Sequence, residues 1–246
     1  MAKLKYHEAG KKLYETGISD GVLFPTDATG AYGKGVAWQG LTSVQETPSG
    51  ADSNPIYADN KKYLDIRSAE QFGATIQAYT FPRAFYECDG SAFMNIGEGN
   101  TLDFITIGQQ SRKVFGLAYK TIVGNDTMMN DYSYKIHIIY GATASPSQRE
   151  YQTVNESPEA IQFSWELTTT PIDVPNHKPS AIITIDVSQL LALPTAEREH
   201  YEAQIKTLEG KLWGVDADTE HSIADVEPTL VMPNEFATIF TPYSAG

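Results

Sequence analysis

The chain has 246 residues, of which 41% are hydrophobic and 11% aromatic, a globular composition with ample material for one large β domain or two small ones. Asp and Glu outnumber Lys and Arg by 31 to 18, and the resulting net charge of −13 argues against a protein that grips nucleic-acid phosphates or an anionic membrane. The single cysteine, Cys88, closes no internal disulfide, which fits a reducing compartment or an assembly made inside a cell. No apolar run reaches the ~18 residues of a membrane span, and the opening "MAKLKYHEAGKKLYETG" lacks the apolar stretch of a secretory signal.

Residues 1–34 are glycine-rich and weakly patterned. The run "GVAWQGLTSVQE", residues 35–46, alternates in the manner of a strand. Val36, Trp38 and Val44 share one face, and Ala37, Gln39, Ser43 and Gln45 share a small, polar one. "TPSGADSNP", residues 47–55, is rich in turn formers, and "IYADNKKYLDIRS" can return as an extended partner. The expectation is a long hairpin over 35–67 with an oversized tip at 47–55. Hairpin loops usually hold ~2–5 residues, so a tip of that length points to a use.

Further on, Tyr132, Tyr134, Ile136, Ile138 and Tyr140 alternate with Ser133, Lys135, His137 and Gly141, with Ile139 the exception. "IQFSWEL" places Ile161, Phe163, Trp165 and Leu167 on one side, and "AIITIDV" does the same with Ala181, Ile183, Ile185 and Val187. One helix is predicted between Pro194 and Gly214. Thr195 is its expected cap, Glu197 and Glu199 sit in its first turn, and Tyr201, Ile205, Leu208 and Leu212 form one apolar stripe. Its other face is acidic, so the stripe is expected to lie on a sheet rather than read a nucleic acid. Residues 215–246 hold an acidic loop and then Pro228, Pro233 and Pro242, too close together for a central strand. Bracing arms and ordinary chain ends fit both termini equally.

Chemistry is hard to find. His7, His137, His177, His200 and His221 share no local metal spacing, and His137 is expected at a surface or interface. Asp216, Asp218, Glu220 and Glu227 fit positions 1, 3, 5 and 12 of a calcium loop, but His221 replaces the glycine required at position 6. Cys88 lies between Glu87 and Asp89, which disfavour a thiolate. Phosphate-loop and nucleophile-elbow motifs are lacking. Asn125-Asp-Thr127 and Asn155-Glu-Ser157 read as chance triplets without a secretory context. A chain with long strands, one packing helix and no site chemistry reads as an assembly or binding module, with no cofactor and no enzymatic activity expected.

The block "IYADNKKYLDIRSAEQFGATIQAYTFPRAFYECDG", with its Tyr57–Asn60 run, its strand from Ser68 to Pro82 and its Cys88–Gly90 triplet, resembles the major tail tube proteins of long, non-contractile-tailed bacteriophages. "TTTPIDVPNHKPSAIITID", leading into the helix and "KLWG", resembles the same family, most closely versions from phages of Gram-positive hosts. The blocks cover roughly half of the chain. The resemblance implies a mainly β tail-tube fold, a β-sandwich or half-barrel with one flanking helix at about 195–213. It implies one domain over 1–246: an N-terminal segment 1–34, the long hairpin 35–67, the remaining sandwich and helix 68–214, and a C-terminal arm 215–246. It also implies hexameric rings stacked into a virion tail tube, assembled in the host cytoplasm. Such a tube surrounds the tape measure protein, meets other tail proteins at its ends and conducts DNA as a repelled cargo.

On that basis Thr47, Ser49, Gly50, Asp52 and Asn54 are candidates for stacking between rings. Gln39, Ser43, Gln45, Asp65 and Thr75 are candidates for the lumen, and Phe236, Ile239, Phe240 and Tyr243 for an arm. The alternative is a non-enzymatic β-sandwich that binds a receptor or carbohydrate, motivated by 14 Tyr and 3 Trp. The positions of Trp38, Trp165 and Trp213 separate the two readings. A hydrolase with scattered carboxylates is a poor third.

Overall fold

The computed structural model describes residues 4–146, 149, 151, 153, 160–217 and 225–244. Among the described residues twelve strands run in chain order: β1 Leu13–Pro25, β2 Val36–Trp38, β3 Leu41–Glu46, β4 Ser53–Ala58, β5 Lys61–Arg67, β6 Gly73–Ala78, β7 Ala92–Asn95, β8 Thr101–Ile107, β9 Phe115–Asn125, β10 Met129–Pro146, β11 Phe163–Thr169 and β12 Ile182–Asp186. The helices are α1 Tyr86–Asp89, α2 Thr195–Trp213 and α3 Phe236–Ile239. The chain is mainly β, as its alternation predicts, with one large antiparallel sheet and one long helix.

That sheet has eight strands in the order β2-β1-β9-β10-β11-β6-β3, with β12 also on β10. Its two end strands, β2 and β3, are joined by Gln39 and Gly40 alone, so the sheet curls back on itself. The predicted single strand over 35–46 is therefore two. Gly40 breaks it at φ 77°, and a Cβ there would meet the Thr80 side chain at 2.7 Å. The Trp38 indole N–H donates to the Thr80 carbonyl at 2.9 Å and fixes the corner.

β10 does the most to shape the molecule. Its first half pairs with β12, Ile138 opposite Ile183, and its second half with β11, Ala144 opposite Leu167. The change of partner falls at Gly141, whose φ is 60° and whose added Cβ would lie 2.3 Å from the Thr170 carbonyl oxygen. A β-branched or bulky residue cannot hold that bend.

Alternation then divides the apolar side chains into two cores. Inside the curl lie Leu23, Ile76, Leu117, Ile139 and Trp165, with Phe85 and Cys88 plugged in from the turn and helix α1. Outside it, Phe24, Ile136, Ile138 and Tyr140 meet Ile205, Leu208 and Leu212 of α2. Ile139 breaks the pattern of the neighbouring isoleucines because both faces of β10 are covered there. Thr195 is the first helical residue and not the cap; Pro194 stands before it in extended geometry with no side-chain cap bond.

The C-terminal segment crosses the foot of α2. Leu230 and Val231 are buried, the Tyr140 hydroxyl donates to the Val231 carbonyl at 2.8 Å, and Lys211 pairs with Glu235 at 2.9 Å. Lys211 and the Met232 N–H hold the Glu235 carboxyl below the usual range, against the opposing effect of its partial burial.

Candidate assembly surface

The long hairpin exists, but with other partners than the sequence suggests. β3 pairs with β6, Val44 opposite Ile76. The same register continues through a bridge from Ser49 to Gln71 and into the β4–β5 ribbon, Ser53 opposite Arg67. One hairpin thus runs from Leu41 to Ala78, and its turn is at Asp59-Asn60, with φ of 49° and 60°. Consecutive positive φ values define the turn that matches strand twist, and Asp and Asn tolerate them. The stretch 47–55 is therefore a limb of the hairpin and not its tip. Its turn formers serve a bend, with Gly50 and Ala51 both at positive φ.

Every residue of β4 and β5 is exposed. Ile56 lies opposite Leu64, and Asn54 opposite Ile66, so Ile56, Leu64 and Ile66 share one face. They are 42%, 41% and 54% exposed. A two-stranded ribbon has no core of its own, and an apolar face at its surface marks a contact surface. Sequence reasoning missed these three residues; the signal was the alternation in "YLDIR", facing the pairs of a turn at Asp59-Asn60.

Of the stacking candidates, Thr47, Ser49 and Gly50 lie on the bend between the body and the ribbon, Asp52 just beyond it and Asn54 on β4. The Thr47 N–H donates to Gly73 and the Ser49 N–H to Gln71, at 2.8 and 2.9 Å. Of the lumen candidates, Ser43, Gln45 and Thr75 come together. Gln45 is opposite Thr75, Ser43 opposite Gln77, and Thr75 and Gln77 are opposite Glu166 and Ser164. These six positions form one uncharged polar sheet face except for Glu166, on the side opposite Ala74, Ile76 and Trp165 of the inner core. The Ser43 hydroxyl donates to Gln77 Oε1 at 3.0 Å. Gln39 lies apart in the β2–β3 link. Asp65 lies on the exposed ribbon, paired with Lys62 at 2.6 Å.

A second ribbon, β7–β8, leaves the body after α1. Its root is fixed by a relay of rings: Phe163 to Phe81 at 5.2 Å, Phe81 to Tyr86 at 5.0 Å, and Tyr86 to Phe93 at 5.4 Å. A bulge separates the pair Phe93–Thr106 from Met94–Leu102. It displays Phe104, which is 82% exposed, and Ile96 and Ile107 are exposed on the same ribbon.

The arm candidates pack on their own subunit. Ile239 is buried, Phe236 stacks on Phe240, and Tyr243 lies edge-on to His200. His200 and Gln204 both hold the Thr241 carbonyl. Through Tyr243, the C-terminal segment is thus a strap across α2.

The chemical candidates resolve into structure. His137 is buried rather than at the surface. It accepts from or donates to the hydroxyls of Thr121 and Thr184 at 2.9 and 3.3 Å and stacks on Tyr119, and burial lowers its pKa. The Cys88 thiol is pushed up to about 12, by burial first and by Glu87 second. Of the calcium-loop positions, Asp218, Glu220 and His221 lie outside the described residues, as does the 155–157 triplet, and Glu227 pairs with Lys34. Trp38 and Trp165 are buried. The Trp213 indole N–H donates to the Asp20 carbonyl at 2.8 Å, and Lys120 sits over its ring. The buried Trp38 and Trp165 offer no ring face to a sugar. The groove beside Trp213, of about 650 Å³, is walled by the β1–β2 backbone and Leu41.

No family model and no curated protein matches the chain. Among solved structures, it is similar to a chain of the sheath–tube complex of an extracellular contractile injection system, PVC, in the extended state. That match has 12% identity and a TM-score of 0.27, and covers 74% of this chain and 94% of the other. A chain of the anti-feeding prophage (AFP) baseplate gives 7% identity and a TM-score of 0.28 over 74% and 98%.

Proposed function

We propose that this chain is a self-assembling subunit of a phage-type tail tube, with hexameric rings stacked along an axis. The observation that carries the reading is the Leu41–Ala78 hairpin, which runs out of the body and ends in a ribbon whose apolar face, Ile56, Leu64 and Ile66, stays about half exposed among the described residues. The sequence block that resembles tail tube proteins begins at Ile56 and takes in the ribbon's turn and the returning limb, β5 and β6. A contact made by a projecting ribbon on a different patch of the next copy is heterologous, and such contacts close into rings or run on as filaments. Among the described residues β12 pairs with β10 alone, which leaves its other edge for a neighbour's strand in this reading.

In this reading the polar face of Ser43, Gln45, Thr75 and Glu166 lines the bore. It carries hydroxyls, amides and one carboxylate, so a passing polyanion finds no cation to release counterions against. The tape measure protein is the occupant during assembly, DNA the later cargo, and other tail proteins cap the ends. Such a subunit is a virion component made in the host cytoplasm and needs no catalytic residue.

The test is electron microscopy of the purified protein over a range of concentrations. Tubes or stacked rings of uniform bore are expected. A protein that stays monomeric at every concentration and salt condition would overturn the reading.

A further inference from the structure

The two ribbons are rooted at opposite ends of the same strand pair. β4–β5 continues from the end where Glu46 faces Ala74. The other end is where Ala78 faces Leu41 and Phe163, and the ring relay from Phe163 through Phe81 and Tyr86 to Phe93 places the root of β7–β8 there.

Their charges are opposite. From Ser53 to Arg67 the first ribbon has three cations, Lys61, Lys62 and Arg67, against Asp59 and Asp65, a net charge of +1 in a chain of −13. From Ala92 to Ile107 the second has Glu98 and Asp103 and no cation. Asp103 pairs with Arg83 at its root, which leaves Glu98, between Gly97 and Gly99, as the charge near the tip with no ion pair among the described residues. Both ribbons carry exposed apolar side chains: Ile56, Leu64 and Ile66 on one, Ile96 and Phe104 on the other.

We infer that the β4–β5 ribbon of one copy docks on the β7–β8 ribbon of the next copy along the axis. Apolar contact supplies the affinity and the charges supply the polarity. This rests on the tube-subunit reading and goes beyond it by naming the acceptor. Two ribbons of the same charge would repel equally in head-to-head, tail-to-tail and head-to-tail contacts and so would set no direction. Opposite charges at opposite ends favour only head-to-tail contact, because like-charge juxtaposition opposes the wrong pairing. An open-ended stack of uniform direction follows from such a contact.

The experiment is charge exchange in the full chain. Lys61→Glu with Lys62→Glu makes the first ribbon acidic, and Glu98→Lys adds a cation to the second. Each set alone is expected to raise the concentration needed for tubes about tenfold or more, and the two sets combined in one chain are expected to restore tubes. Circular dichroism and thermal unfolding establish that each variant is folded. If Asp103→Lys is added, loss of the Arg83 pair is read in the same melt. A second measurement stands apart from charge: Leu64→Cys with Phe104→Cys in a Cys88→Ala background should give intermolecular disulfide ladders on mild oxidation of wild-type-like tubes. Tubes from both single-ribbon variants at the unmodified concentration, with no ladder, would overturn the docking while leaving the tube-subunit reading intact. Absence of tubes from the unmodified protein would overturn both.

Discussion

Replacing Ile56, Leu64 and Ile66 together by serine separates folding from assembly. These side chains are 42%, 41% and 54% exposed in the lone subunit, so about half of each remains to be covered by a neighbour. Full burial of an Ile or Leu side chain is worth about 1.5–3 kcal/mol, so covering the remaining half gives about 1 kcal/mol each and about 3 kcal/mol for the three. Each 1.4 kcal/mol is tenfold in an association constant, so the concentration that supports tubes should rise by about a hundredfold. The melting temperature of the unassembled subunit should stay within about 2 °C, because the ribbon contributes nothing to either core. Sedimentation of polymer against total protein gives the first quantity, and a thermal melt at a concentration below assembly gives the second. Normal tubes at the unmodified concentration would refute the reasoning, as would a collapse of the monomer's melting temperature.

Other consequences follow from the body of the fold. Leu208→Ala removes a fully buried side chain between α2 and β10 and should cost about 2–5 kcal/mol in denaturant unfolding. Gly141→Ala places a Cβ against the Thr170 carbonyl at positive φ and should cost at least about 1–3 kcal/mol, with the loss appearing in the β10–β11 amides by hydrogen exchange. Burial lowers the pKa of His137 below its ordinary value of ~6.5. The unfolded chain therefore takes up this proton first as the pH falls. Stability should be full above the ordinary imidazole value and decline between it and the lowered one. His137→Gln should flatten that part of the profile in chemical denaturation measured across mildly acid pH.

How much of this was legible depended on whether a residue's role was local. The two-residue period of Tyr134, Ile136, Ile138 and Tyr140 marks their face correctly, because one face of β10 meets α2 along its length. The stripe of Ile205, Leu208 and Leu212 marks the helix for the same reason. Hairpin pairing was not legible from composition. The turn formers at 47–55 look like a tip, but Asp59-Asn60 is the site that accepts two consecutive left-handed residues, and the partner of β3 is β6 rather than the nearer run. His137 reads as a surface residue on a polar face. The structure buries that face between Thr121 of the preceding strand and Thr184 of β12, which is 47 residues away in sequence. The C-terminal segment reads as irregular because its prolines exclude a strand, yet it docks through backbone groups of Val231 and Thr241, which leave no pattern in side-chain polarity. The apolar face of the ribbon was hidden by its flanking lysines.

The hairpin's strands do not stop at the body's surface; the chain that forms the outer ribbon continues as β3 and β6. Hydrogen bonds of an antiparallel ladder lie across the strand direction. A pull on the ribbon along its length draws β3 and β6 together and is therefore resisted by the ladder of β6 on β11 as a set of rungs sharing the strain, and cannot open them one at a time. A filament joined through such ribbons would transmit tension straight into the centre of each subunit, so it would stretch by sliding strands and not by peeling its surface loose.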